Sequence, residues 1–210
     1  MDLAHEMIIA ATEAGADWVK FQAYQTKHLH PSDPQYAWLK AAELSLASIE
    51  KLIDWCQMND VNPLFSVFDE ERLGQLREMG QEWIKIGHGD SHRFPTSGLN
   101  IIRSHAWGLG DGVAEIHLAT IPLYPAPLEA VAAVIEGDGW SDHCIGLDAA
   151  KYFIARGATM IEKHFSLPER EGGRRQPWDM SPADLKELRQ FADHVAVMKM
   201  GTPSYDRWSH

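Results

Sequence analysis

Three short segments hold most of the side chains able to do chemistry: Lys20-Phe21-Gln22, Ser141-Asp142-His143 and Glu162-Lys163-His164. Each falls at the C-terminal end of a predicted strand, and a fourth predicted strand adds Lys85. Side chains alternate across a strand, so Lys20 with Gln22, Ser141 with His143, and Glu162 with His164 each share a face. Brought to one end of a sheet, two lysines, two histidines, a serine, a glutamine and a glutamate call for an anionic ligand, a metal ion, or both. His143 and His164 are separated by one helix plus one strand, which gives them equivalent places on neighbouring strands about 4.8 Å apart. A lone strand histidine is more often a hydrogen-bonded structural residue, but two so placed suit one divalent ion with open coordination positions. The ammonium groups of Lys20 and Lys85, with the hydroxyls of Ser66 and Ser141, make a phosphate cradle. The plain alternative for the lysines is to snorkel to the surface.

The elements that must position these groups alternate. A 3.6-residue periodicity over Leu3 to Ala14 stops at Gly15 and gives way to a β-rich stretch, Asp17 to Tyr24. Gln25 to Leu44, with Pro31 and Pro34, reads as a long loop. Helices are expected at Leu46–Asn59 and Asp69–Met79, with strands at Pro63–Phe68 and Glu82–Gly87. A short helix is expected over Pro95–His105, a weak strand near Trp107 and a clearer one at Glu115–Ile121, with the helix between these two strands missing. Then follow a short helix at Pro127–Glu136, a strand at Trp140–Cys144, a helix at Asp148–Arg156, a strand at Ala158–Leu167 and a helix at Ser181–Met198. Ser181 as cap and Pro182 at the first helical position favour that last helix start. Such alternation implies parallel strands and right-handed crossovers. A complete eight-stranded barrel takes about 250 residues. The expected fold is therefore α/β, a TIM (β/α)8-type barrel that is incomplete, with about seven strands and the first one missing.

Composition narrows the class. The 210 residues, 45% hydrophobic and 23% charged, fit one soluble globular domain over 1–210. A net charge of -11 with no basic stripe argues against nucleic acid as a partner. The longest apolar run, Ala130 to Ile135, is far short of the roughly 20 residues of a membrane span. Acidic Asp2 and Glu6 stand where a secretory signal is basic, so a cytoplasmic chain is expected. Cys56 and Cys144 read as packed thiols. His5, His28, His30, His105, His117, His194 and His210 read as surface or loop residues. Gly108-Leu109-Gly110-Asp111-Gly112 imitates a dinucleotide loop, but no helix follows it to receive a pyrophosphate. Glu171 to Arg175 reads as a basic turn or as a lid.

Taken together, the segments resemble the N-acetylneuraminate (sialic acid) synthase family. The resemblance rests on Glu13 to Gln22, Leu64 to Asp69, Ile84-Lys85-Ile86, Tyr124-Pro125-Ala126-Pro127, Trp140 to His143 and Ile161 to Phe165, all in the family's order. It implies a barrel that condenses phosphoenolpyruvate with an N-acyl amino sugar, N-acetylmannosamine or a related one, to give a nonulosonic acid and phosphate. It places Lys20, Ser66, Lys85 and Ser141 around phosphoenolpyruvate with Gln22 close by, and makes His143 and His164 the ligands of a manganese or magnesium ion. It also puts Glu162 in the site and Asp90 beside the sugar, so that Glu162, Lys85 and Lys20 are the expected catalytic residues.

The departures matter too. The family's first strand, ending in a glutamate and an Asn-His-Asn-Gly turn, has no counterpart in this sequence, nor has its C-terminal antifreeze-like domain. After Lys85-Ile86 the family has Ala-Ser, where this chain has Gly87-His88, so that His88 takes over the phosphate-side hydrogen bond. Arg175 stands in place of a sugar-binding acid, and Ala132 in place of an asparagine. Three readings follow: the synthase, a catalytically silent barrel that binds phosphoenolpyruvate or a sugar phosphate without turnover, and a metal-dependent aldolase or hydrolase. An open barrel leaves two strand edges unpaired, for which a homodimer is one outcome.

Overall fold

The computed structural model describes residues 1–89, 96–108, 114–135, 137–167 and 175–200. Helix α1 (Asp2–Glu13) enters strand β1 (Trp18–Ala23) through Gly15, whose φ of 96° only glycine adopts without strain. Helices α2 (Tyr36–Ala42) and α3 (Leu46–Met58), strand β2 (Asn62–Val67), helix α4 (Glu70–Glu78) and strand β3 (Trp83–Ile86) follow. Next come β4 (Asn100–Ala106), β5 (Ile116–Thr120), β6 (Gly139–Asp142), helix α5 (Asp148–Arg156), β7 (Met160–Lys163) and helix α6 (Pro182–Met200). The described residues form seven strands, all parallel and in sequence order.

The sheet curls on itself. Six steps across a flat sheet would set β1 about 29 Å from β7, yet Lys20 on β1 meets Glu162 on β7 at 3.1 Å. The outer layer closes as well: Arg189 on α6 donates to the Gly15 carbonyl and to Asp17, beside the start of β1. The expected seven-stranded, incomplete barrel is the observed architecture.

Inside the curl, side chains change character in one two-residue step. At the N-terminal ends of the strands Leu64, Ile102 and Leu118 are buried together, with Trp18, Trp83, Ile116 and Met160 packed against them. Two positions further along the same faces stand Lys20, Ser66, Lys85, Ser104, Thr120 and Glu162. An apolar plug thus forms the floor under a polar mouth. The opposite faces of β1 to β4 pack on α1, α3 and α4 around Ile8, Leu52, Phe65 and Ile84. Trp140 of β6 stacks on Phe153 of α5.

Local chemistry sets the helix ends. Ser45 and Asp69 accept backbone N–H groups at the starts of α3 and α4. At α6, Ser181 and Asp184 cap each other reciprocally, as the Ser-Pro start predicts. Gly157, at φ 117°, ends α5 in the left-handed conformation.

Four expectations are corrected. The short helix expected over Pro95–His105 is not what its described part, 96–105, forms: β4 occupies Asn100–Ala106, and Trp107 lies beyond it in a turn. The loop from Gln25 to Leu44 contains a 3-10 turn (Thr26–His28) and α2, which buries no residue and so lacks an apolar stripe. Pro127–Glu136 holds a 3-10 helix, Leu128–Ala133, instead of an α-helix. His105 and His117 are strand residues, not surface or loop ones; His105 is buried, and its Nε2 lies 2.8 Å from Nδ1 of His117. Glycines 110 and 112, and Glu171 to Arg174, fall outside the described residues. Among the described residues no helix is long and apolar enough to cross a membrane.

Candidate active site

The polar mouth is organised around the Glu162 carboxylate. Its Oε2 lies 3.1 Å from Lys20 Nζ, and its Oε1 accepts from Ser141 Oγ at 2.8 Å and faces Lys85 Nζ at 3.8 Å. Strand pairing produces this meeting: Ser141 is in register with Glu162, and Ser66 with both Gln22 and Lys85. Lys85 is 2% exposed and also donates to Ser104 Oγ at 2.7 Å and to the Ile86 carbonyl at 3.1 Å. Burial lowers its ammonium pKa to about 8, against the pull of Glu162 and with further lowering by Lys20 and Arg103. Burial alone would raise the pKa of Glu162, but the two lysines and the Ser141 hydroxyl bring it down to about 2. The carboxylate is therefore ionised at neutral pH.

The two histidines sit beside this cluster on neighbouring strand ends, their rings edge to face with centroids 5.5 Å apart. His143 Nδ1 lies 3.1 Å from the Ile121 carbonyl, which leaves Nε2 for another partner. Burial lowers its pKa to about 4 despite that bond. His164 is lowered as well, by burial and then by Lys20. Tyr124, cis-bonded to Pro125, lays its ring 4.1 Å from that of His143, and Trp178 closes the same side at 5.8 Å from Tyr124. Asp179 Oδ1 is buried without a hydrogen-bond partner, 3.6 Å from His164 Nδ1.

Neutral imidazoles backed by a carbonyl and a carboxylate are the donor set and outer support that divalent metals take. The residues fit such an ion as two of its ligands. Among the described residues no group of three or more His, Cys, Asp and Glu is placed to hold an ion, so the two histidines would be the protein donors there.

The structure thus brings together Lys20, Lys85, Ser141, Glu162, His143 and His164. Ser66 is buried one strand over and donates to the Phe21 carbonyl at 3.3 Å. Gln22 and His88 are exposed, one at the end of β1 and the other just past β3. Asp90 lies outside the described residues. Sequence reasoning missed Ser104 because its strand was read as a helix, and it passed over Thr120, whose position at a strand end was available. Trp178 and Asp179 lie in an irregular stretch with no periodic signal. A cavity of about 500 Å³ around Trp18, Asn62 and Trp83 opens at the other end of the strands, away from this cluster. Cys56 and Cys144 are buried free thiols, and burial pushes each up to about 12.

Comparison with known proteins gives a consistent picture. The model of the NeuB family matches residues 7–100 and 113–202. The chain is 27% identical to the N,N'-diacetyllegionaminic acid synthase of Campylobacter jejuni, over 90% of this chain and 70% of that protein. It is 28% identical to the spore coat polysaccharide biosynthesis protein SpsE of Bacillus subtilis, over 90% of this chain but 62% of the relative, so it spans about two thirds of such proteins. In fold it is similar to the N-acetylneuraminic acid (sialic acid) synthetase of Leptospira borgpetersenii, at a TM-score of 0.79 and 23% identity over 97% of this chain and 81% of that one.

Proposed function

The chain belongs to the NeuB family, and from that membership we propose that it condenses phosphoenolpyruvate with an N-acyl amino sugar, consuming one water and yielding a nonulosonic acid and inorganic phosphate. The carrying observation is the convergence of Lys20, Lys85 and Ser141 on a single anionic point beside His143 and His164.

Each residue of the mouth has a task in that reaction. Lys20 and Lys85 hold the phosphate and stabilise the charge that gathers on it as its C–O bond breaks. Ser141 and Ser66 add hydroxyl donors, with Gln22 at the rim. Before the phosphate arrives, Glu162 aligns the two ammonium groups. His143 and His164 would hold a manganese or magnesium ion, which when bound would supply Lewis acidity toward the sugar substrate. Tyr124 and Trp178 screen the histidines from water on one side. By family likeness His88 borders the phosphate and Asp90 the sugar. With its net negative charge and two buried free thiols, the chain is read as a cytoplasmic protein.

The test is phosphate release from phosphoenolpyruvate with manganese and N-acetylmannosamine or a related N-acyl hexosamine, run beside His164→Ala. Release that requires all three components and disappears in the variant supports the synthase. Absence of release across a panel of N-acyl hexosamines overturns it, and calorimetric binding of phosphoenolpyruvate in that case identifies a binding barrel.

A further inference from the structure

The donors that the proposed reaction assigns to a phosphate already have an anion. Lys20, Lys85 and Ser141 all point at the two oxygens of Glu162, at distances of 3.1, 3.8 and 2.8 Å. Among the described residues Glu162 is the carboxylate that meets both lysines. Its side chain is only 17% exposed, and β6–β7 pairing fixes the strand that bears it. The floor beneath is the apolar plug of Leu64, Ile102 and Leu118, and the other partners of Lys85, the Ser104 hydroxyl and the Ile86 carbonyl, are neutral. An anion arriving from solvent therefore competes with the Glu162 carboxylate for the charge of these lysines and for the Ser141 hydroxyl.

We propose that Glu162 is a resident anion of the cradle, displaced when the phosphate-bearing substrate binds, and that it thereby selects dianionic ligands over monoanionic ones. While its carboxylate is in place, two ammonium groups and one carboxylate leave a single net positive charge. A monoanion such as acetate offers the lysines no more than Glu162 does, and so does not displace it. A phosphate dianion offers more charge and a third acceptor oxygen, and takes the lysines over. Glu162 is in this sense a specificity-determining residue. The inference rests on reading the cluster as a phosphate cradle.

The experiment is isothermal calorimetry with inorganic phosphate and with acetate on the wild-type protein and Glu162→Gln. Glutamine keeps the shape and the acceptor for Ser141 but has no charge. Phosphate binding is expected to tighten about tenfold or more in the variant, and acetate, without effect on the wild type, becomes a competitor of phosphate. Unchanged or weaker phosphate binding in a variant that melts like the wild type overturns the proposal. If Glu162→Gln fails to fold, Glu162→Ala gives the same readout, since acetate then fills the vacated place and competes. Phosphate bound by neither wild type nor variants overturns the cradle and this inference with it. Tightened phosphate binding in a protein that releases no phosphate from phosphoenolpyruvate upholds the resident anion and sinks only the synthase.

Discussion

Lys163 Nζ donates to the Asp142 carboxylate at 2.8 Å and to the Cys144 carbonyl at 2.6 Å, with 1% and 0% of the two charged side chains exposed. This pair lies on the faces of β6 and β7 opposite to Ser141 and Glu162, and it ties together the two strand ends that carry His143 and His164. Lys163→Met leaves a buried, uncompensated carboxylate and is expected to lower the free energy of unfolding by about 3–5 kcal/mol. Urea denaturation measures it. The Lys163→Met, Asp142→Asn double variant recovers part of the loss, because no unpaired charge remains.

Two glycines give opposite outcomes on substitution by alanine. A Cβ at Gly139 of β6 falls on the Met160 carbonyl oxygen and against Leu118 Cδ2, and the backbone there cannot retreat without breaking strand pairing. Gly139→Ala is expected to cost about 3 kcal/mol or more. Gly74, within α4, has nothing within 4 Å of its added Cβ. Gly74→Ala is expected to add about 0.5–1 kcal/mol. Thermal melts of the two variants, side by side, separate the effects.

The metal-free protein loses stability in mild acid. His143 binds its proton near pH 4 when folded, against 6.5 ordinarily, so between these values the unfolded chain binds more protons. Stability is therefore fully present above pH 6.5 and falls as the pH drops toward 4. His164, lowered too, adds to the loss. Glu162 holds its charge to about pH 2, so its own contribution is full above the ordinary value of 4.5 and is lost as the pH falls from there toward 2. Denaturation followed from pH 7 to 4 in wild type and His143→Gln checks the assignment: the slope flattens in the variant.

Asp179 is expected to support His164 as a metal ligand. Its Oδ2 is taken by the Gln176 N–H at 2.8 Å, while Oδ1 faces His164 Nδ1, which leaves Nε2 for an ion. Asp179→Asn is expected to weaken manganese binding roughly ten- to a hundredfold, read by titration calorimetry. Unchanged affinity would remove Asp179 from the metal's support.

What the sequence revealed and what it hid have a common cause. Lys20, Ser141, His143, Glu162 and His164 were legible because each ends a strand where a polar residue breaks an apolar run. The β4 strand was hidden because Ile101 and Ile102 are buried on both of its faces, which erases the two-residue alternation. With that strand misread, Ser104 was lost from the site and His105 was assigned to the surface. The ion pair behind the histidines, Lys163 with Asp142, was present in the very segments singled out, but its partnership is a matter of strand register, which no spacing along one strand reveals.

The sequential order of the strands also bears on how the chain reaches this structure. Every strand pairs only with its neighbours in sequence, so each βα unit can dock on the previous one as it leaves the ribosome, and the search for partners stays short. Side-chain contacts also run across this order, among them the clasp of Arg189 on the Gly15 carbonyl, which joins residues 174 positions apart. That clasp and the Lys20–Glu162 contact both need the two ends of the sheet brought together, so the charge arrangement of the mouth depends on the curl of the whole sheet.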